Sequence, residues 1–223
     1  MIRESVMFLG HFGLGFGLKR AAPAVSLGTL FLAVEFVDLL WPTFLVLGLE
    51  HVEIAPGITA VTPLDFVDYP ISHSLLMMIV WGLLFGGVYW AIKKSRSGAV
   101  VCGLAVVSHW FLDWLMHRPD LPLYPGNSPL LGLGLWKSLA ATMLLEFMVF
   151  AVGLAIYLRA TQAIDRKGTV GLWALVAFLV VVYLGNLFGP PPPSVQAIGW
   201  AGQAQWLFVA AGYWVDRHRR TIR

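Results

Sequence analysis

The sequence predicts an all-α protein, a polytopic transmembrane helical bundle of about six spans plus a short N-terminal apolar helix or re-entrant segment. Three observations carry this expectation. Of 223 residues, 58% are hydrophobic and 12% charged, whereas soluble domains average about 45–50% and about 25%. Several apolar runs approach the ~20 residues a helix needs to cross ~30 Å of hydrocarbon. The basic residues also sort by loop, as the positive-inside rule requires.

In chain order, Val6–Leu18 is apolar but too short to span, and its His11 and glycines with no small-residue cleavage motif argue against a signal peptide. Spans are expected at Pro23–Leu49, His73–Ile92, Ala99–His117, Leu131–Leu158, Thr169–Phe188 and Gln196–Trp214. Backbone groups in lipid must be satisfied within their segment, so these are helices. Lys19/Arg20, Lys93/Lys94/Arg96, Arg159/Arg166/Lys167 and Arg217/Arg219/Arg220 fall on one side. The opposite loops include 50–72, with Glu50, Glu53, Asp65 and Asp68 and no Lys or Arg. This places the C-terminus of a multi-pass membrane protein in the cytoplasm. A net charge of +3 is then read as contact with anionic headgroups of membrane lipids, with no nucleic acid as partner. Tryptophans near span ends, Trp41, Trp81, Trp110 and Trp114 among them, fit interfacial belts. The stiff Pro190–Pro193 stretch separates the last two spans. No repeat or long linker divides the chain, so residues 1–223 read as one transmembrane domain, with two additional C-terminal spans over about 169–215.

The chemistry is carried by ionisable groups where lipid disfavours them. His11, Glu35, Asp38, His73, His109, Asp113, His117 and Glu146 lie within or at the edge of apolar segments, each costing ~2.5–3.5 kcal/mol near the bilayer centre on insertion scales. The spans hold almost no Lys or Arg to neutralise them, whereas a bound cation satisfies carboxylates and imidazoles together. His109 and Asp113, four residues apart, project from one helix face as a two-point metal clip, a spacing equally compatible with a simple hydrogen-bonded pair. Asp38, His73 and this pair all fall in the outer half of the bundle. Glu35 is a general-base candidate or a buried neutral acid, and His117 a substrate-contact candidate or a helix-end residue. Glu146 packs as a protonated acid or lines the pocket. Asp65 and Asp68 are expected to solvate the outer loop, and His51 and His218 to face solvent. Cys102 stands alone and offers no disulfide or thiolate cluster.

The ordered set Gly10-His11-Phe12-Gly13, Phe36-Val37-Asp38, Ser72-His73-Ser74 and Ser108-His109-Trp110-Phe111-Leu112-Asp113, followed by the Pro119–Pro125 stretch ending Leu123-Tyr124-Pro125, resembles the YdjM-like family of inner-membrane proteins described as metal-dependent hydrolases. The resemblance covers roughly residues 5–137 and implies a multi-pass protein of a prokaryotic inner (plasma) membrane. It implies a metal site on His11, Asp38, His73, His109 and Asp113, with Ser74 beside it. Leu39-Leu40-Trp41 and Asp68-Tyr69-Pro70 stand where relatives carry a further acid and an Arg.

Two functions fit this pattern. One is a hydrolase in which a divalent ion, Zn²⁺ foremost with Mn²⁺ or Fe²⁺ compatible, activates water against an amphiphilic, lipid-like ester or phosphoester. Its candidate catalytic groups are Glu35, Asp38 and His117. The other is a non-catalytic protein with a structural metal site, or a metal-ion or proton transporter.

Overall fold

The computed structural model describes residues 8–222; Val6 and Met7, which begin the apolar N-terminal segment, lie outside the described residues. The chain forms α1 (Leu9–Ala21), α2 (Leu27–Val34), α3 (Phe36–Val46), a hairpin of β1 (His51–Ile54) and β2 (Leu64–Asp68), α4 (Pro70–His73), α5 (Leu75–Lys93) and α6 (Arg96–Met116). There follow the two-residue strands β3 (Leu121–Pro122) and β4 (Leu130–Leu131), a 3₁₀ turn at Leu135–Lys137, α7 (Leu139–Ala160), β5 (Thr161–Ala163), α8 (Arg166–Phe188), α9 (Val195–Gly202), α10 (Gln205–Arg217) and β6 (Arg219–Thr221). Most helices start where a short polar side chain can take up free backbone N–H groups. Ser26, Ser74, Ser95, Ser138, Asp165 and Ser194 each accept such a bond at the start of α2, α5, α6, α7, α8 and α9.

The membrane assignment holds and the count of six spans is corrected. Among the described residues four helices, α5 to α8, are long and apolar enough to cross a bilayer, and α2 with α3 makes a fifth if the bent pair is one span. The first expected span is broken at Glu35, where the axis turns by 54°. The last resolves into α9 and α10, of 8 and 13 residues. The glycines of α9 account for this: a Cβ on Gly199 would stand 2.7 Å from Val46 Cγ2 and one on Gly202 2.5 Å from Pro42 Cγ. Such close seating holds α9 against α3. The two short helices nevertheless return the chain to the end from which α8 departs, because β6 pairs antiparallel with β5.

The four long helices turn apolar side chains outward. Leu83, Ile92, Leu104, Leu144 and Val181 are all more than 60% exposed, an arrangement that suits lipid rather than water.

α1 starts in the middle of the bundle. Glu146, in the first half of α7, accepts the backbone N–H of Phe8 (3.0 Å) and of Gly10 (2.6 Å). A carboxylate there satisfies two donors that a helix start leaves free and faces the positive end of its dipole. Glu146 is thus the cap of α1. From that point α1 runs alongside α7, and the two approach so closely that a Cβ on Gly13 would lie 2.6 Å from Phe150 Cα. The expectation of a short helix packed on the bundle fits this geometry.

The acidic loop over 50–72 is folded rather than merely solvated. Its hairpin buries Val52, Leu64 and Phe66, and Phe66 lies against Trp41, Tyr69, His117 and Trp136. Asp65 pairs with Arg118, so its reading as a solvating charge is corrected. Trp41 and Trp110 are buried instead of forming an interfacial belt.

Candidate metal centre

Five side chains from four helices converge beneath that hairpin. α1 supplies His11, α3 Asp38, α4 His73, and α6 both His109 and Asp113; all five are buried. Asp113 Oδ1 stands 3.2 Å from His11 Nε2, and its Oδ2 3.2 Å from His109 Nε2 and 3.8 Å from His73 Nε2. Asp38 Oδ1 lies 3.1 Å from His73 Nε2 and 3.5 Å from His109 Nε2. The rings of His11 and His109 stack at 3.7 Å, nearly parallel. Among the described residues two groups of three can hold a metal ion, His11/His109/Asp113 and Asp38/His73/His109. They share one His109 nitrogen, which has one lone pair, so they form one centre and not two complete ones.

Local structure explains each placement. The break at Glu35 leaves the Val34 carbonyl to accept the Nδ1–H of His109 (2.7 Å). That bond puts the lone pair of neutral His109 on Nε2, toward both carboxylates. His73 is set the same way through two relays. Glu50 accepts the Ser72 backbone N–H (2.7 Å) on Oε1 and the Ser72 hydroxyl (2.6 Å) on Oε2. With its one proton given to Glu50, Ser72 Oγ accepts from His73 Nδ1–H (2.7 Å), which leaves the His73 Nε2 lone pair facing Asp38. Two imidazole lone pairs therefore point at two carboxylates across 3.1–3.8 Å. His109 Nε2 and Asp113 Oδ2 are buried with no hydrogen-bond partner among the described residues. Lone pair against lone pair in a dry site is repulsive unless a cation lies between. The donor set, three imidazoles and two carboxylates, thus fits a divalent ion of the zinc, manganese or iron kind.

The remaining candidates sit around this centre. His117 Nε2 lies 4.0 Å from Asp113 Oδ2, while its Nδ1–H is taken by Asp120 (2.9 Å). Asp120 also accepts from Arg118 Nε (3.0 Å) and the Tyr69 hydroxyl (3.4 Å). Burial, then the Asp120 charge, holds the Tyr69 phenol well above its usual pKa, so it remains a donor. Glu35 is buried at the helix break, and both carboxyl oxygens lack a partner among the described residues. Ser74, next to His73 in the chain, accepts the Met77 N–H with its hydroxyl and starts α5. His51 is exposed, and His218 pairs with Asp165 at 2.9 Å.

Sequence reasoning missed Glu50, Ser72, Tyr69 and Asp120 as positioning groups. Ser72 and Tyr69 flank His73 in sequence, but nothing in an acidic loop marks Glu50 apart from Glu53.

A family model described as YdjM inner membrane protein matches residues 64–189, more than half of the chain. The chain belongs to the YdjM inner membrane protein family. No curated protein and no solved structure matches it. The family name and the apolar helices make it a multi-pass inner-membrane protein. The YdjM match begins later and runs further than the resemblance read over 5–137. It takes in His73, His109, Asp113 and all of α7 and α8, while His11 and Asp38 precede it.

Proposed function

We propose that this YdjM-family chain is a membrane-embedded metal-dependent hydrolase that cleaves an ester or phosphoester bond of a lipid-like, amphiphilic substrate in the outer half of the bilayer. The observation that carries this reading is the pair of imidazole lone pairs turned onto Asp38 and Asp113 in a buried site. His11, Asp38, His73, His109 and Asp113 would hold one divalent ion, with Zn²⁺ favoured by the nitrogen-rich set. Such an ion acidifies a bound water and polarises a phosphoryl or carbonyl oxygen.

The chain's own groups do the rest. Glu35 has two unpartnered carboxyl oxygens and takes the proton released by the attacking water. His117, its Nδ1–H fixed by Asp120, presents Nε2 toward the centre and contacts the reacting head group. The hairpin covers the site with Phe66 and excludes bulk water. Membrane lipids are the expected surroundings and source of substrate. The topology favoured by the loop charges leaves the C-terminus in the cytoplasm.

The test is elemental analysis of detergent-purified protein together with turnover of micellar ester and phosphoester substrates. Asp38→Asn should lose both bound metal and turnover. Metal-dependent turnover retained by that variant rejects the assignment.

A further inference from the structure

A cavity of about 490 Å³ lies beside the metal centre, with Asp38 in its wall. Small-molecule sites occupy roughly 300–1,000 Å³. Trp41 and Pro42 of α3, Phe208 of α10 and Pro190–Pro193 line it. Apart from Asp38, the polar side chains facing it include the amides of Asn186 and Gln205. Gln205 Oε1 is buried with no hydrogen-bond partner among the described residues. Two further wall residues decide where the cavity opens. Phe178 of α8 is 49% exposed and Leu207 of α10 is 62% exposed. Both belong at once to the cavity and to the apolar outer surface, so the cavity reaches hydrocarbon along α8 and α10, while the exposed Pro190, Pro193, Ala201 and Ala204 form the rest of its rim.

We infer that this chamber receives the hydrocarbon tail of a membrane lipid, which slides in laterally between α8 and α10 and brings its polar linkage to Asp38. The inference rests on the hydrolase reading of the centre and gives it a substrate class. A tail leaving the bilayer exchanges one apolar setting for another at little cost, whereas a polar solute would shed its water against Trp41, Pro42 and Phe208 without replacement. The Asn186 and Gln205 amides offer hydrogen bonds to an ester or phosphoester linkage, and the unpartnered Gln205 oxygen takes a head-group hydroxyl. The C-terminal helices thus become the part of the chain that selects the substrate.

The experiment uses the full chain in phosphatidylethanolamine/phosphatidylglycerol vesicles doped with phosphatidylglycerol carrying a diazirine within one acyl chain, followed by peptide mapping. Leu83 and Leu104, which face lipid, report annular contact; Trp41 and Phe208, at 6% and 4% exposure, are reached only from the chamber. Label is expected at Trp41 and Phe208, and Val182→Trp or Ile198→Trp should abolish it there while label at Leu83 and Leu104 and the metal content stay unchanged. Label confined to Leu83 and Leu104 overturns the inference, as does label at Trp41 and Phe208 that survives both variants. Chamber labelling in a protein with no metal-dependent turnover would sustain the tail site and sink the hydrolase, so the two readings fail separately.

Discussion

Glu50 touches no metal-ligating atom, yet its replacement should weaken metal binding through a single proton. Its carboxylate accepts twice, from the Ser72 N–H at 2.7 Å and from the Ser72 hydroxyl at 2.6 Å. Glu50→Gln keeps the shape but offers one acceptor, so one of these contacts becomes donor against donor. If the hydroxyl is released, it can donate to His73 Nδ1, moving the ring proton to Nε2, the atom that faces Asp38 at 3.1 Å. A protonated Nε2 cannot hold an ion. Partners behind a metal-bound histidine are typically worth 10–100-fold in affinity, which is about 1.4–2.8 kcal/mol. Competition for Zn²⁺ against a chromogenic chelator in detergent measures this, with Glu53→Gln as control on the exposed strand. Ser72→Ala should weaken binding by a similar factor, and the double variant should be little worse than either single one, because both act on the same proton. Wild-type affinity in Glu50→Gln and Ser72→Ala alike would refute the relay.

Gly13→Ala places a Cβ 2.6 Å from Phe150 Cα and 2.8 Å from Val149 O, backbone that cannot yield; α1 should shift off α7, lowering stability by about 1–3 kcal/mol and drawing His11 away from Asp113, read as a lower Tm together with weaker metal binding. Asp165 gives a pH signature at the opposite end of the bundle. The Gly168 N–H, then the His218 side chain, holds its carboxyl below the usual 3.8. A depressed folded pKa contributes stability that is present above the unfolded value and lost as pH falls through the folded one. Asp165→Asn should therefore be less stable than the wild-type protein at pH 6, with the difference vanishing by about pH 2, followed by thermal melts across that range.

What the sequence disclosed was governed by solvent. In lipid an ionisable side chain stands out because its cost is high, and this is why His11, Asp38, His73, His109 and Asp113 could be picked out and proved to meet. The 3.6-residue period tied His109 to Asp113. The same logic fails at the membrane's edge. Glu50, Tyr69 and Asp120 sit in loops where a charge or phenol costs nothing in the unfolded chain, so composition does not separate the Glu50 that fixes Ser72 from an exposed neighbour. Helix continuity was illegible for a related reason. The stretch from Leu27 to Val46 is apolar on both sides of Glu35, and hydropathy integrates over the interruption, as it does over Gln203 and Ala204 between α9 and α10.

Those interruptions are what make the centre possible. A continuous span satisfies its own backbone and leaves no free backbone groups at mid-depth; irregular backbone is tolerated there only when protein surrounds it. Here three ligands stand at such breaks. His11 is in the first turn of α1, whose free N–H groups are met by Glu146. Asp38 is in the first turn of α3, just past the 54° bend that leaves the Val34 carbonyl to orient His109. His73 ends α4, where the chain turns at Ser74 into α5. Of the ligand-bearing helices only α6 passes through unbroken, and it alone supplies two ligands, one turn apart. The broken helices therefore deliver single donors from several directions onto the face of a rigid one, the arrangement a multi-donor ion site needs.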